Sequence, residues 1–251
     1  MKYLGLDIAT ATGWVYLEDD VLIDRGTIRL ISGMSLPQKL HYFHLELKNL
    51  VTRLHPDYCF IEDVILGISG AKTLAFLARL NGVAINTTFT ILQERVKLYE
   101  PCYWKCHSFE GLMGNAKKWQ TQLAVIKHYN IPITGNFDNI KVQVNIDLQR
   151  IDDLKQYIKS SRVEINKCKA ALNRKRNKLD VFNGLATRER IKELDISIKL
   201  EKENMKLSQK AFDKKMNNVK NDIAAQTGFT EDISDACGIA YCGYKEIQRG
   251  S

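Results

Sequence analysis

Several features are scarce or missing from this 251-residue sequence. No apolar run approaches the roughly 18 residues of a membrane span, and Met1 leads straight into an apolar strand rather than a secretory leader. A soluble, cytoplasmic protein with no membrane partner is the expectation. The six cysteines (Cys59, Cys102, Cys106, Cys168, Cys237, Cys242) are scattered, which excludes a disulfide framework and fits a reducing compartment. Cys102, Cys106 and His107 have metal-like spacing but lack two further ligands, so a zinc site is not expected there. His41 and His44, three apart on a helical pattern, read as surface or packed histidines. Net charge is also missing from most of the chain. Outside residues 146–222, 17 Lys/Arg face 17 Asp/Glu, whereas 146–222 holds 20 against 12, the whole +8 excess. That stretch also has no proline and only one glycine, Gly184, so it lacks the residues that punctuate loops.

The remaining pattern is that of an α/β protein. Residues 2–8, 13–18 and 21–30 read as a three-stranded antiparallel meander, with Gly13 and the Glu18-Asp19-Asp20 turn between strands. Leu36, Leu40, Phe43, Leu47, Leu50 and Leu54 recur at helical spacing, with Pro37 tolerated in the first turn. Residues 58–65 read as a strand, 71–80 as an apolar helix with small residues Ala71, Ala75 and Ala78, and 83–91 as another strand. Alternating helices and strands imply parallel pairing. Tyr103, Trp104 and Phe109 lie in a locally basic stretch and read as core. A helix follows Gly114-Asn115, and its free N–H groups with Lys117 and Lys118 make a phosphate site. Residues 229–241 read as a short closing helix.

Between 146 and 222 the apolar residues follow a heptad: Ile151, Leu154, Ile158, Ile165, Cys168, Leu172, Leu179 and Phe182, then Ile191, Leu194, Ile198, Met205, Phe212 and Val219. This predicts two long helices turning near Asn183-Gly184 into an antiparallel coiled-coil hairpin, each arm reaching about 50 Å. Ser161, Lys175, Glu201 and Ser208 weaken its seam. Arg174, Lys175, Arg176 and Lys178 cluster toward its tip. A localised basic excess fits a polyanion, most often nucleic acid, as well as it fits a solvated helical surface. The expected organisation is a discontinuous domain, 1–145 with 223–251, interrupted by the hairpin at 146–222.

Four acids have no simple structural purpose. Asp7 ends an apolar strand, Glu62 lies in another, and Asp232 and Asp235 share one face of the closing helix. If the first and fourth strands are neighbours and the last helix packs beside them, the four converge. Clustered carboxylates raise one another's pKa unless a cation holds them together. An all-oxygen donor set selects Mg²⁺ or Mn²⁺, and two such ions about 4 Å apart suit phosphodiester cleavage.

The stretches Leu4-Gly5-Leu6-Asp7, Thr12-Gly13-Trp14, Phe60-Ile61-Glu62 and Asp232-Ile233-Ser234-Asp235-Ala236-Cys237-Gly238-Ile239-Ala240 together resemble the RuvC family of Holliday junction resolvases. The resemblance covers roughly residues 1–130 and 223–245. It implies an RNase H-like mixed five-stranded sheet flanked by helices. It also implies a homodimeric endonuclease that cuts four-way junctions, with Asp7, Glu62, Asp232 and Asp235 as the catalytic, metal-binding acids for two Mg²⁺ or Mn²⁺ ions. Lys117 and Lys118, with Lys105, fall in the basic stretch expected to contact DNA, and the helix at 71–80 corresponds to the family's dimer helix. The hairpin is a departure: it either grips DNA through Arg174, Lys175, Arg176 and Lys178, widening the accepted branched substrates, or recruits a protein. A phage-encoded relative acting in the host cytoplasm, at the nucleoid, suits such a variant.

Two other readings remain. Leu6-Asp7-Ile8-Ala9-Thr10 also resembles the opening of sugar-kinase or actin-like phosphotransferases, although the chain shows no internal repeat and is too short for the two copies of the fold that these use. A catalytically inert DNA-binding scaffold on the same fold is the other, and retention of all four acids argues against it.

Overall fold

A computed structural model describes residues 1–64, 70–133, 137–175 and 181–250, with the side chains of 137–148, 171–175 and 181–187 left out. The chain divides into two compact units, Met1–Ile133 with Val219–Ser251, and Thr134–Asn218.

The first unit is built on β1 (Lys2–Asp7), β2 (Ala11–Glu18), β3 (Val21–Arg29), β4 (Tyr58–Glu62) and β5 (Val96–Tyr99), in the order β3-β2-β1-β4-β5. The first three strands pair antiparallel, while β1–β4 and β4–β5 are parallel. This is a mixed five-stranded sheet flanked by helices, as the resemblance implies. Alternation sorts the side chains. Leu4 and Leu6 of β1, with Cys59 and Ile61 of β4, face a core shared with α1 (Leu36–Leu54) and α2 (Ala71–Leu92). Tyr3 and Phe60 face the opposite core, under α3 (Pro101–His107), α4 (Lys118–His128) and α7 (Glu231–Gly250). With a period of two, Asp7 and Glu62 fall on this second face. Helix α1 buries Phe43, Leu47, Leu50 and Val51, each contributing about 1.5–3 kcal/mol if fully withdrawn from water.

Two expectations are corrected here. Residues 83–91 are not a strand; they complete α2, and the last strand is Val96–Tyr99. The run is rich in β-branched residues, but its threonines accommodate to the helix. The hydroxyls of Thr87, Thr88 and Thr90 donate to the carbonyls of Val83 (2.7 Å), Ala84 (2.8 Å) and Asn86 (2.7 Å). Leu80, Ala84, Thr87 and Thr88 are buried at helical spacing. Extended in this way, Ala71–Arg95 is long and apolar enough to cross a membrane by length and composition, contrary to the absence of such a run expected above. Here its buried face packs against α1 and the sheet.

Helix α7 lies directly on β1 and β2. A β-carbon on Gly5 would stand 2.2 Å from the carbonyl oxygen of Ala236, and one on Gly13 would stand 2.2 Å from that of Asp232. Only glycine permits this approach, and Ala236 and Ala240 keep the facing side of α7 equally flat.

The second unit contains α5 (Phe137–Lys175) and most of α6 (Val181–Thr227). Ile158, Ile165, Leu194 and Ile198 form a buried cluster flanked by Ile191 and Met205, following the expected heptad. The Tyr157 hydroxyl lies 2.8 Å from that of Ser197, and Arg190 Nη2 lies 3.1 Å from Glu164 Oε1. Later residues of α5 therefore meet earlier ones of α6, an antiparallel pairing. Asn183 and Gly184 are not the turn: they lie in the first turn of α6. The helical region also begins earlier than position 146, at Phe137. Leu179, Arg176 and Lys178 lie outside the described residues.

Candidate active site

Asp7 is the last residue of β1 and Glu62 the last of β4. Because Leu6 pairs with Ile61 in parallel, the two acids leave neighbouring strands at the same end and on the same face. Asp232 and Asp235 occupy the first turns of α7, and the close approaches at Gly5 and Gly13 seat that helix over the ends of β1 and β2. The four acids selected from the sequence are thus brought together. Asp63, the neighbour of Glu62, is exposed and accepts a hydrogen bond from the Val64 N–H (2.8 Å).

Lys118, the first residue of α4, fills the centre of the cluster. Its Nζ lies 3.4 Å from Asp232 Oδ1, 3.7 Å from Glu231 Oε2 and 3.9 Å from Asp235 Oδ2. Burial alone would lower the pKa of this ammonium, but Asp7, Asp235, Asp232 and Glu231 outweigh it and hold the group above the usual lysine range. The acids respond in the opposite sense. Burial, then Glu62 and Asp235, raise Asp7 well above the carboxylate range. Burial and Asp235 push Glu62 to about 7, against the opposing pull of Lys105, Trp104 and Lys118. Burial pushes Asp235 to about 6, with Lys118 and Lys105 opposing. Three of the four acids therefore carry charge at a cost that nearby cations relieve.

Does a metal fit here? Among the described residues, no three His, Cys, Asp or Glu side chains are already closed around a cation-sized point. The donor set nevertheless suits a hard divalent ion, since it consists of carboxylate oxygens alone. Asp235 Oδ1 is buried without a hydrogen-bond partner. The Thr121 hydroxyl is near enough to favour the charged form of Asp235, but its oxygen also lacks a partner. A buried carboxylate of an acidic cluster with one oxygen unpartnered suits a metal ligand. Cys102 and Cys106 are exposed free thiols, His107 Nδ1 lies 2.7 Å from the Tyr103 carbonyl, and His44 Nδ1 is 2.8 Å from the Thr87 hydroxyl.

The lysines selected from the sequence separate. Lys118 lies among the acids rather than at an open helix end. Lys105 reaches the site through its charge, and its Nζ stands 5.2 Å over the Trp104 ring. Lys117 is the exposed N-cap of α4, where its backbone N–H donates to Gln120 Oε1 (2.7 Å). Arg174 and Lys175 end α5 with side chains outside the described set, as are Arg176 and Lys178 entirely. Sequence reasoning missed three participants. Glu231 is a fifth acid, paired with Lys118 and with Lys220. Trp104 is core, as expected, but its indole N–H donates to Glu62 Oε2 at 3.2 Å. Asn81 donates to the Glu62 backbone carbonyl at 2.9 Å. The one available signal for these last two was polar capacity at apolar helical positions.

No family profile matches the chain. Individual proteins do. The crossover junction endodeoxyribonuclease RuvC of Chloroflexus aggregans is 30% identical over 105 residues, 40% of this chain and 62% of the relative. The RuvC of Ehrlichia chaffeensis is 26% identical over 144 residues, 55% of this chain and 88% of the relative. The chain thus spans a little under two thirds of the first of these relatives. A solved structure of Thermus thermophilus RuvC aligns with a TM-score of 0.46 and 15% identity over 54% of this chain and 84% of that one, and so does the same protein in complex with a Holliday junction substrate. The chain resembles RuvC, as its motifs imply.

Proposed function

We propose that this protein is a metal-dependent, structure-selective DNA endonuclease that cuts four-way junctions and related branched DNA. The observation that carries this reading is the meeting of Asp7, Glu62, Asp232 and Asp235 at the ends of two parallel strands, in a chain whose relatives are named crossover junction endodeoxyribonucleases. The four acids are the metal-binding catalytic set, and Mg²⁺ or Mn²⁺, two per site, would supply an activated water and neutralise charge on the leaving oxygen. The chain's own residues do the rest. The acids fix the ions' place relative to the sheet, Lys118 supplies fixed positive charge next to the scissile phosphate, and Lys117 and Lys105 bind adjacent backbone. The protein acts as a homodimer through α2, whose outer face carries Ala71, Ala75, Ala78 and Gly82, all exposed, along with exposed Phe89 and Ile91. Its place is the cytoplasm, with DNA.

For the hairpin two roles have support. The basic excess favours a clamp on a DNA arm through residues including Arg174, Lys175, Arg176 and Lys178. Ile196, Leu200 and Leu207, 57–68% exposed on the side of α6 away from Leu194 and Ile198, favour a docked protein.

The test is nicking of a synthetic four-way junction beside linear duplex, a fork and a flap, with Mg²⁺ or EDTA. Paired, metal-dependent nicks at the junction are expected, and Asp7→Asn should lose them while remaining folded. Wild-type cleavage by Asp7→Asn removes the assignment. Binding without cleavage by the wild type leaves the inert scaffold.

A further inference from the structure

Trp104 is wholly buried, yet it is more than core filling. Its only polar atom, Nε1, donates to Glu62 Oε2 at 3.2 Å. The opposite edge of the indole is seated against Gly238, one turn beyond Asp235 on α7, where a β-carbon would stand 2.5 Å from Trp104 Cζ3. The ring therefore bridges the helix that carries two of the acids and the strand that carries a third. The main chain of Glu62 is held separately, by Asn81 Nδ2 on its carbonyl oxygen (2.9 Å), so backbone and carboxylate are pinned from different helices. Two further contacts fasten this region to α7: Lys245 Nζ donates to the Ser108 carbonyl at 3.0 Å, and the Tyr103 hydroxyl lies 3.5 Å from Glu246 Oε2. A phenylalanine or leucine could supply apolar contact here, but only an indole fills the site and directs a donor at the carboxylate.

We infer that Trp104 is a positioning residue for the candidate metal site: its indole N–H fixes the orientation of the Glu62 carboxylate, and the glycine notch at Gly238 fixes the indole relative to Asp235. The inference rests on the metal-site reading above. One oxygen of Glu62 is committed to the indole, leaving the other as the free donor in a constant direction. Outer partners of this kind set ligand geometry, and their loss weakens metal binding by about 10–100-fold.

The experiment uses the full-length protein and Mg²⁺ alone as probe. Trp14, Trp104 and Trp119 are the chain's only tryptophans, so an ¹⁵N correlation spectrum carries three indole signals, and W104F identifies the one of interest. In the metal-free protein E62Q should move the Trp104 indole signal, because a neutral amide replaces a carboxylate acceptor. In the wild type the same signal should shift on Mg²⁺ addition with the midpoint found by calorimetry. W104F keeps an aromatic ring in the site and loses the donor together with some packing volume at Gly238. It should melt cooperatively like the wild type, bind Mg²⁺ about tenfold more weakly, and shift the pH midpoint of binding upward, which a packing role alone would not do. An indole signal indifferent to E62Q, or W104F binding Mg²⁺ with wild-type affinity and pH dependence, overturns the inference alone. A wild type that binds no divalent ion overturns the metal-site reading and this inference with it.

Discussion

Replacing Lys118 by methionine tests whether this ammonium acts as a tethered counter-ion in the metal-free protein. Its three carboxylate contacts span 3.4–3.9 Å. A single pair at about 4 Å is worth about 1 kcal/mol in water and about 4 kcal/mol at an effective dielectric constant of 20. Lys118 is 46% exposed in its side chain, so water screens it and the lower figure governs. Protonation of neighbouring acids relieves part of the loss as well. The expected destabilisation of metal-free Lys118→Met at pH 8 and low salt is about 2 kcal/mol in all, or about 4–8 °C in Tm for a domain of this size. The difference should shrink in 1 M salt, where screening is strong, and at pH 5, where Glu62 and Asp235 are protonated. Mg²⁺ affinity should move the other way, rising about tenfold, because the entering ion no longer displaces or faces a resident cation. Differential scanning fluorimetry and calorimetry read the two effects. A variant with wild-type Tm at pH 8 and wild-type Mg²⁺ affinity refutes the counter-ion reasoning.

Three other outcomes follow from the same geometry. Asp7, Glu62 and Asp235 all have raised pKa values, so between about pH 4 and 7 the folded state holds more protons than the unfolded one, and the metal-free protein loses stability as pH rises through that window. Excess Mg²⁺ should flatten this loss, and a Tm rising from pH 5 to 8 without metal would contradict it. Gly13→Ala sets a β-carbon against a main-chain oxygen rather than a flexible side chain, so α7 must move. A cost of about 3 kcal/mol is expected together with weakened Mg²⁺ binding, and a neutral result would mean that α7 lies further from β2. Neutralising Arg174, Lys175, Arg176 and Lys178 should weaken junction binding and reduce the slope of log affinity against log salt by about 3–4 if all four meet phosphates. Unchanged binding across salt assigns the hairpin to a protein partner.

The fold and the acids were legible for different reasons. β1 to β4 and α1 carry strong period-two or period-three-to-four patterns between clear turns, and they stand nearly where the sequence puts them. The four acids were visible because a carboxylate inside an apolar strand, or two on one face of an otherwise apolar helix, needs a reason. Val83–Ile91 misled because β-branched content is a preference of the side chain, whereas the helix there is decided by burial of Leu80, Ala84 and Thr88 together with hydroxyls that return to the helix's own carbonyls. The turn of the hairpin misled because Asn-Gly favours turns only where the chain is free to end a helix. Lys118 looked like an open phosphate binder because its partners, Glu231, Asp232 and Asp235, lie more than a hundred residues away in sequence. Trp104 looked like core because nothing local marks which buried indole has an acid waiting for its N–H.

Helix α7, which carries Asp232 and Asp235 and closes over Gly5 and Gly13, is separated from the rest of its own unit by the inserted helical region. During synthesis the sheet, Asp7, Glu62 and Lys118 are therefore made first, and the helix that completes them follows after about 100 more residues, a delay of roughly 5–20 s at elongation rates of about 5–20 residues per second. For that interval one face of the sheet, with Tyr3 and Phe60, has no α7 to cover it, and half of the acid set does not yet exist. The last helix thus finishes the hydrophobic core and the acidic cluster in a single docking event. A chain cut short within the insertion has neither.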